Sequence, residues 1–129
     1  MTKWYGSISN RIAEMATRGQ PEPKVGMGAT LLFYSDRHAA TIIDTWKKRS
    51  KQWVKVRRDK ATRTDNNGPS DCQEYSYEDD PDGATYFYRF NGKRWQQMKL
   101  NDETYRWNVV KEGPGLRIGE RDEYYDYSF

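Results

Sequence analysis

The stretch Tyr86-Phe87-Tyr88-Arg89-Phe90-Asn91-Gly92-Lys93-Arg94-Trp95-Gln96-Gln97-Met98-Lys99-Leu100 decides the fold class of this chain. Two aromatic-containing runs flank Asn91-Gly92, the dipeptide favoured in two-residue type I′ turns because both central residues need positive φ. The expectation is a hairpin of Tyr86 to Phe90 against Lys93 to Leu100. That register sets Tyr88 opposite Trp95 and Phe87 opposite Gln96, and an aromatic cross-strand pair helps hold it.

Working outward, Trp53 to Arg58 alternates strictly, with Val54 and Val56 on one face and Trp53, Lys55 and Arg57 on the other. Ala29 to Tyr34 and Ala39 to Trp46 are two earlier β-type runs, with Ser35, Asp36 and Arg37 turning between them. Lys47 to Lys51 reads as a polar loop. Thr64 to Cys72 reads as a loop built on Asp65-Asn66-Asn67-Gly68-Pro69, with Asp65 to Gly68 as an Asx-type turn. On the far side of the hairpin, Tyr105 to Val110 and Gly115 to Gly119 are predicted to pair, turning at Lys111 to Pro114. The tail alternates acids and aromatics, and Tyr125, Tyr127 and Phe129 share the buried face of a last, barrel-closing strand. Near the start, Ser9 to Thr17 is predicted as a short helix capped by Ser9. Pro21-Glu22-Pro23 then forces extended chain.

These elements predict one all-β or mainly β domain over residues 1–129: an N-terminal extension (1–24), a three-strand unit (25–64), a loop (65–83), then hairpins and a C-terminal strand (84–129). The spacing of the first three strands matches small barrels of the Src-homology and Tudor type, an analogy that carries no function by itself.

Composition agrees with one domain. Leu, Ile, Val and Phe supply only about 14% of the chain, a level at which a highly charged sequence would stay disordered. Here net charge is only +3, and ten Tyr and five Trp can build the core that the aliphatic residues cannot. Cys72 is the only cysteine and His38 the only histidine, so no disulfide and no thiolate or His-paired metal site can close within one chain. The opening residues hold no apolar run, so neither a signal peptide nor a membrane span is expected. The expectation is a soluble, intracellular protein with no membrane partner.

Several motifs resemble, in order along nearly the whole chain, a family of small uncharacterised tailed-phage proteins. They are Tyr5-Gly6-Ser7, Gly26-Met27-Gly28-Ala29-Thr30, Tyr34-Ser35-Asp36-Arg37 with Ala40-Thr41-Ile42, Arg63-Thr64-Asp65-Asn66-Asn67-Gly68 with Ser70-Asp71-Cys72-Gln73, and Tyr124-Tyr125-Asp126-Tyr127-Ser128-Phe129. The resemblance implies a phage or prophage origin and expression in a bacterial cytoplasm. It implies no activity and no functional residues, and the basic loop Lys47 to Lys51 is not part of it.

Charge is strongly segregated. Nine bases fall between Lys47 and Arg63 against the single acid Asp59, and six acids and no base fall between Asp71 and Asp82. Such a pattern fits either a polar partner or packing of the two stretches on each other. The candidate ligand face is Trp53, Lys55 and Arg57 with Lys47, Lys48, Arg49 and Lys51: an aromatic plate for base stacking beside cations for phosphate, a surface for a polyanion. The candidate protein-binding residues are Tyr124, Tyr125 and Tyr127, since tyrosine is favoured in contacts. His38 with Asp36 and Arg37 in a turn is a weak catalytic set, because no nucleophile elbow or phosphate-cradling loop accompanies it. Calcium loops fail at both glycines. With Gly68 in sixth place the first ligand would be Arg63, and with Gly83 there the twelfth would be Arg89. Neither catalytic residues nor metal nor cofactor are expected. Two functions remain open: a phage accessory protein that binds a host bacterial protein or signalling molecule, perturbing a bacterial defence, or a nucleic-acid or nucleotide-binding module using the basic-aromatic face.

Overall fold

A computed structural model describes residues 21–126, which form nine strands and no helix. The helix expected at Ser9 to Thr17 lies outside the described residues, as do Tyr127 and Phe129. The strands are β1 (Gly28–Leu32), β2 (Arg37–Lys48), β3 (Lys51–Arg58), β4 (Lys60–Arg63), β5 (Tyr75–Glu78), β6 (Thr85–Phe90), β7 (Trp95–Leu100), β8 (Trp107–Val109) and β9 (Gly115–Ile118). Seven build one antiparallel sheet in the order β8-β7-β6-β3-β2-β1-β9, and β4 with β5 make a separate two-stranded sheet.

The mainly β class holds, and β1, β2 and β3 form the expected meander. The barrel does not: among the described residues no ladder joins the edge strands β8 and β9, so the sheet stays open. It curls instead. The Tyr88 hydroxyl on β6 donates to the Pro114 carbonyl at 2.8 Å, tying the middle of the sheet to the loop before β9. On the inner face Ala29 and Leu31, Ala40 and Ile42, Val54 and Val56, Tyr88 and Phe90, Trp95, and Leu116 and Ile118 pack into one core. The period-two alternation of each strand delivers them to that side, and the aromatic members supply the area that so few aliphatics cannot.

Three expected pairings are corrected. The 86–100 hairpin exists, but Phe90 faces Trp95 and Tyr88 faces Gln97. Asn91 causes the difference. Its side-chain oxygen accepts the Lys93 and Arg94 amides, both at 2.9 Å, so the turn centres on Gly92-Lys93, with Gly92 at φ +96°. A slip of two residues leaves every side chain on its expected face. The β8 and β9 strands pair with β7 and β1 respectively rather than with each other. The segment 65–83, expected as a single loop, contains β5, which pairs with β4.

Candidate functional site

The hairpin of β2 and β3 ends in a two-residue turn, Arg49-Ser50, closed by the Lys48–Lys51 pair. Both turn residues have positive φ, +52° and +66°, the backbone of a type I′ turn made without asparagine or glycine. Lys47 to Lys51, expected as a loop, is therefore mostly strand, and its cations stand at fixed positions around a tight corner. Further back a β-bulge between Ile42 and Asp44 inserts one residue into β2. A bulge re-aims the side chains beyond it. Ile42 faces the core, yet Trp46 emerges opposite Trp53, on the outer face.

That face carries a closed ring of four aromatic side chains. Trp46 stacks on Trp53 (centroids 5.8 Å apart), Trp53 meets Trp107 edge-on (5.1 Å), Trp107 meets Phe87 (4.9 Å), and Phe87 returns to Trp46 (6.2 Å). Arg89, directly across from Trp53 on β6, lays its guanidinium over the Trp53 ring at 5.6 Å. Such contacts fix the plane of an arginine that, among the described residues, has no carboxylate partner.

Between the β2–β3 turn and the loop joining β7 to β8 lies a cavity of about 650 Å³, within the usual range for small-molecule sites. Its cations are Lys48, Arg49, Lys51, Arg89 and Arg106, and its rings are Trp53, Tyr105 and Trp107. Among the described residues no carboxylate lines it. Among the described residues none of the five cations is in an ion pair, whereas Arg37, Arg57, Arg58, Arg63, Arg117 and Arg121 all are. Asp102 and Glu103 belong to the neighbouring hollow beside Lys99. Five like charges around one concavity attract anions strongly.

The expected ligand face is thus partly assembled. Lys48, Arg49, Lys51 and Trp53 line the cavity. Lys55 shares their face but sets its ammonium 5.2 Å from the Phe87 ring centroid. Arg57 is bound to Asp79 at 2.6 Å. Lys47 pairs with Gln52, on the opposite face of the hairpin. Trp53 is only 4% exposed, so it is a wall of the site rather than a plate open to a base. The residues missed are Arg89, Tyr105, Arg106 and Trp107. The run Tyr105-Arg106-Trp107 sets a cation between two rings, a signal open to notice, while Arg89 reaches the site only through its partnership with Trp53.

The other candidates are engaged within the chain. His38 lies in β2, not in a turn, and its Nδ1 is 2.7 Å from the Glu123 carboxylate. Glu123, 3% exposed, also accepts the Ala39 amide at 2.9 Å. The carboxylate holds the imidazole proton on Nδ1, so Arg58, near both groups, acts on Glu123 by charge at 3.8 Å. Asp36 accepts the Asp126 amide, and Arg37 pairs with Asp122. Among the described residues the tail, 120–126, forms no strand: one bridge joins Arg37 and Tyr124, and side chains make its other bonds. The Tyr124 hydroxyl donates to Asp71, and that bond, first among its causes, pushes the phenol pKa up to about 12. Tyr125 packs edge-on against His38, and its backbone is held at both ends by Gln73. Cys72 is exposed. No helix among the described residues is long and apolar enough to cross a membrane. Comparison of the chain with protein families, with curated proteins and with solved structures finds no match.

Proposed function

We propose that this domain binds the phosphate backbone of nucleic acid in the cavity between the Arg49-Ser50 turn and the β7–β8 loop. The observation that carries the reading is the set of five cations around one hollow that, among the described residues, take no ion pair and have no carboxylate beside them in its lining. The segregated charge supports it. The acidic stretch folds back on only part of the basic one: β5 pairs with β4, and Asp79 takes Arg57. Among the described residues Lys47, Lys48, Arg49, Lys51, Lys55 and Lys60 take no ion pair, and Lys48, Arg49 and Lys51 line the hollow with Arg89 and Arg106. Internal packing therefore leaves most of the basic stretch uncompensated, which supports an anionic partner. The resemblance to tailed-phage proteins supports a setting inside an infected bacterium. Capture of a host protein through the tail draws less support, since Tyr124 and Tyr125 are engaged within the chain.

Fluorescence anisotropy with labelled nucleic acid across a salt series tests this. Phosphate-driven affinity falls linearly on a logarithmic salt scale, with a slope of about −0.7 to −0.9 per phosphate neutralised. Lys51→Ala with Arg106→Ala is expected to weaken binding and flatten that slope by one to two such increments. Lys47→Ala, on the other face, is expected to leave it unchanged. An equal effect of all three, or no binding at low salt, would remove the cavity as the site.

A further inference from the structure

We infer that the nucleic acid taken by this cavity is single-stranded, with one unstacked base lying on the Tyr105 ring between phosphates held by the turn cations and Arg106. The inference rests on the proposed function and adds the class of strand.

Tyr105 is the aromatic ring of the cavity that solvent reaches freely, at 79% exposure, whereas Trp53 is buried. Its backbone is pinned. Asn101 accepts the Glu103 and Thr104 amides through its side-chain oxygen at 2.9 and 3.2 Å. Its carbonyl accepts the Tyr105 amide at 2.8 Å, and its own amide donates to Arg106 at 2.8 Å. This closed loop holds Tyr105 at φ +56°, a left-handed backbone that is unfavourable for a residue with a Cβ. A bulky aromatic residue is thus kept, exposed, at a position where glycine would be favoured. Facing it, Arg49 occupies the same unfavourable region at φ +52°. Two of the three non-glycine residues with positive φ among those described therefore line one cavity.

A ring carried on a pinned backbone gives up only its own side-chain rotation when it stacks. Only an unstacked base has a free face to lay on it, because in a duplex each base is covered by its neighbours. The cavity, about 650 Å³ and concave, accepts an extruded nucleotide rather than the side of a rod. A polyanion without bases would engage the cations and leave Tyr105 idle.

The test uses the intact chain and three probes by anisotropy and competition: a single strand of about twelve nucleotides, within common site sizes, a duplex of the same length, and inorganic polyphosphate. Tyr105→Gly removes the ring and suits the left-handed backbone, so its melting temperature is expected at or above that of the parent. It is expected to lose single-strand affinity by roughly 5- to 100-fold, the span of one base stack, with duplex and polyphosphate binding unchanged. Tyr105→Phe is expected to keep the affinity. If the glycine variant melts early, Tyr105→Asn, whose residue also tolerates this backbone, carries the same comparison. Duplex bound as tightly as single strand, or single-strand affinity unchanged in a folded variant without the ring, would overturn the inference and leave phosphate binding standing. No binding of any probe would remove both.

Discussion

Asp65 organises the loop after β4. Its carboxylate accepts Arg63 Nε at 2.8 Å, the Asn67 amide at 2.8 Å and the Glu74 amide at 2.7 Å. The Arg63 guanidinium first, then the Glu74 and Asn67 amides, hold its carboxyl well below the usual carboxylate range. The unfolded chain has the ordinary value near 4, so the native state binds fewer protons in acid. The stabilisation from these bonds is therefore complete above about pH 4 and is lost as pH falls toward the native pKa. Asp65→Asn is expected to lower the melting temperature at pH 7, with the gap to the parent narrowing steadily from about pH 4 to pH 2. A constant gap over that range would mean that the charge plays no part. The Asp65–Asn67 turn was legible because it is local. The same residue's bond to Glu74 was not, since nothing in the order of residues says where a loop returns. Trp53 shows the same limit: alternation places it on the outer face, but only the arrival of Trp46, Arg89 and Trp107 buries it there.

Among the elements, the 86–100 hairpin tests how turn chemistry sets register. Gly92 at φ +96° has no atom near the place a Cβ would occupy, so a substitution there meets backbone strain and no steric clash. Gly92→Val is expected to cost about 1–2 kcal/mol in denaturant melts, because a β-branched residue resists positive φ. Asn91→Ala is expected to destabilise as well, by removing the acceptor for Lys93 and Arg94; unchanged stability in both would show that the turn does not hold the hairpin. The Asn-Gly signal correctly marked a hairpin. It misplaced the register because the asparagine side chain, rather than a positive φ at Asn91, makes the turn. The true two-residue turn with both φ positive falls at Arg49-Ser50, residues that carry no such signal. The β2 bulge was equally silent, and with it the outward aim of Trp46. Alternation in β3 was fully legible because Val54 and Val56 pack on their own side whatever pairs beside them. β8 pairs back on its sequence neighbour β7, across a turn made by the Asn101 side chain and not by a glycine or proline, while the partner of β9 was illegible because β1 lies far away in the chain.

At the scale of the molecule, residues 120–126 strap the β1–β2 edge mainly by side chains, beside the one backbone bridge of Tyr124 to Arg37. Thr30 donates to the Glu120 carbonyl, Arg121 pairs with the buried Asp59, and Glu123 takes His38 and the Ala39 amide. Glu123→Ala would leave two buried donors without acceptors and is expected to cost about 3 kcal/mol, since each charged bond contributes roughly 1.5–3. Urea melts measure it, and a loss below about 0.5 kcal/mol would mean that the strap merely rests on the sheet. The partners on β1 and β2 lie 84 to 90 residues before the strap in the chain, which has a consequence during synthesis. At about 5–20 residues per second, β1 and β2 leave the ribosome roughly 4–17 s before the segments that complete them. Through that interval the edge of β1 that β9 will cover stands open to other strands. How long it stays open is set by translation speed and not by the domain's own folding rate, so slow codons downstream of β2 lengthen the period in which a neighbouring nascent chain can add to it.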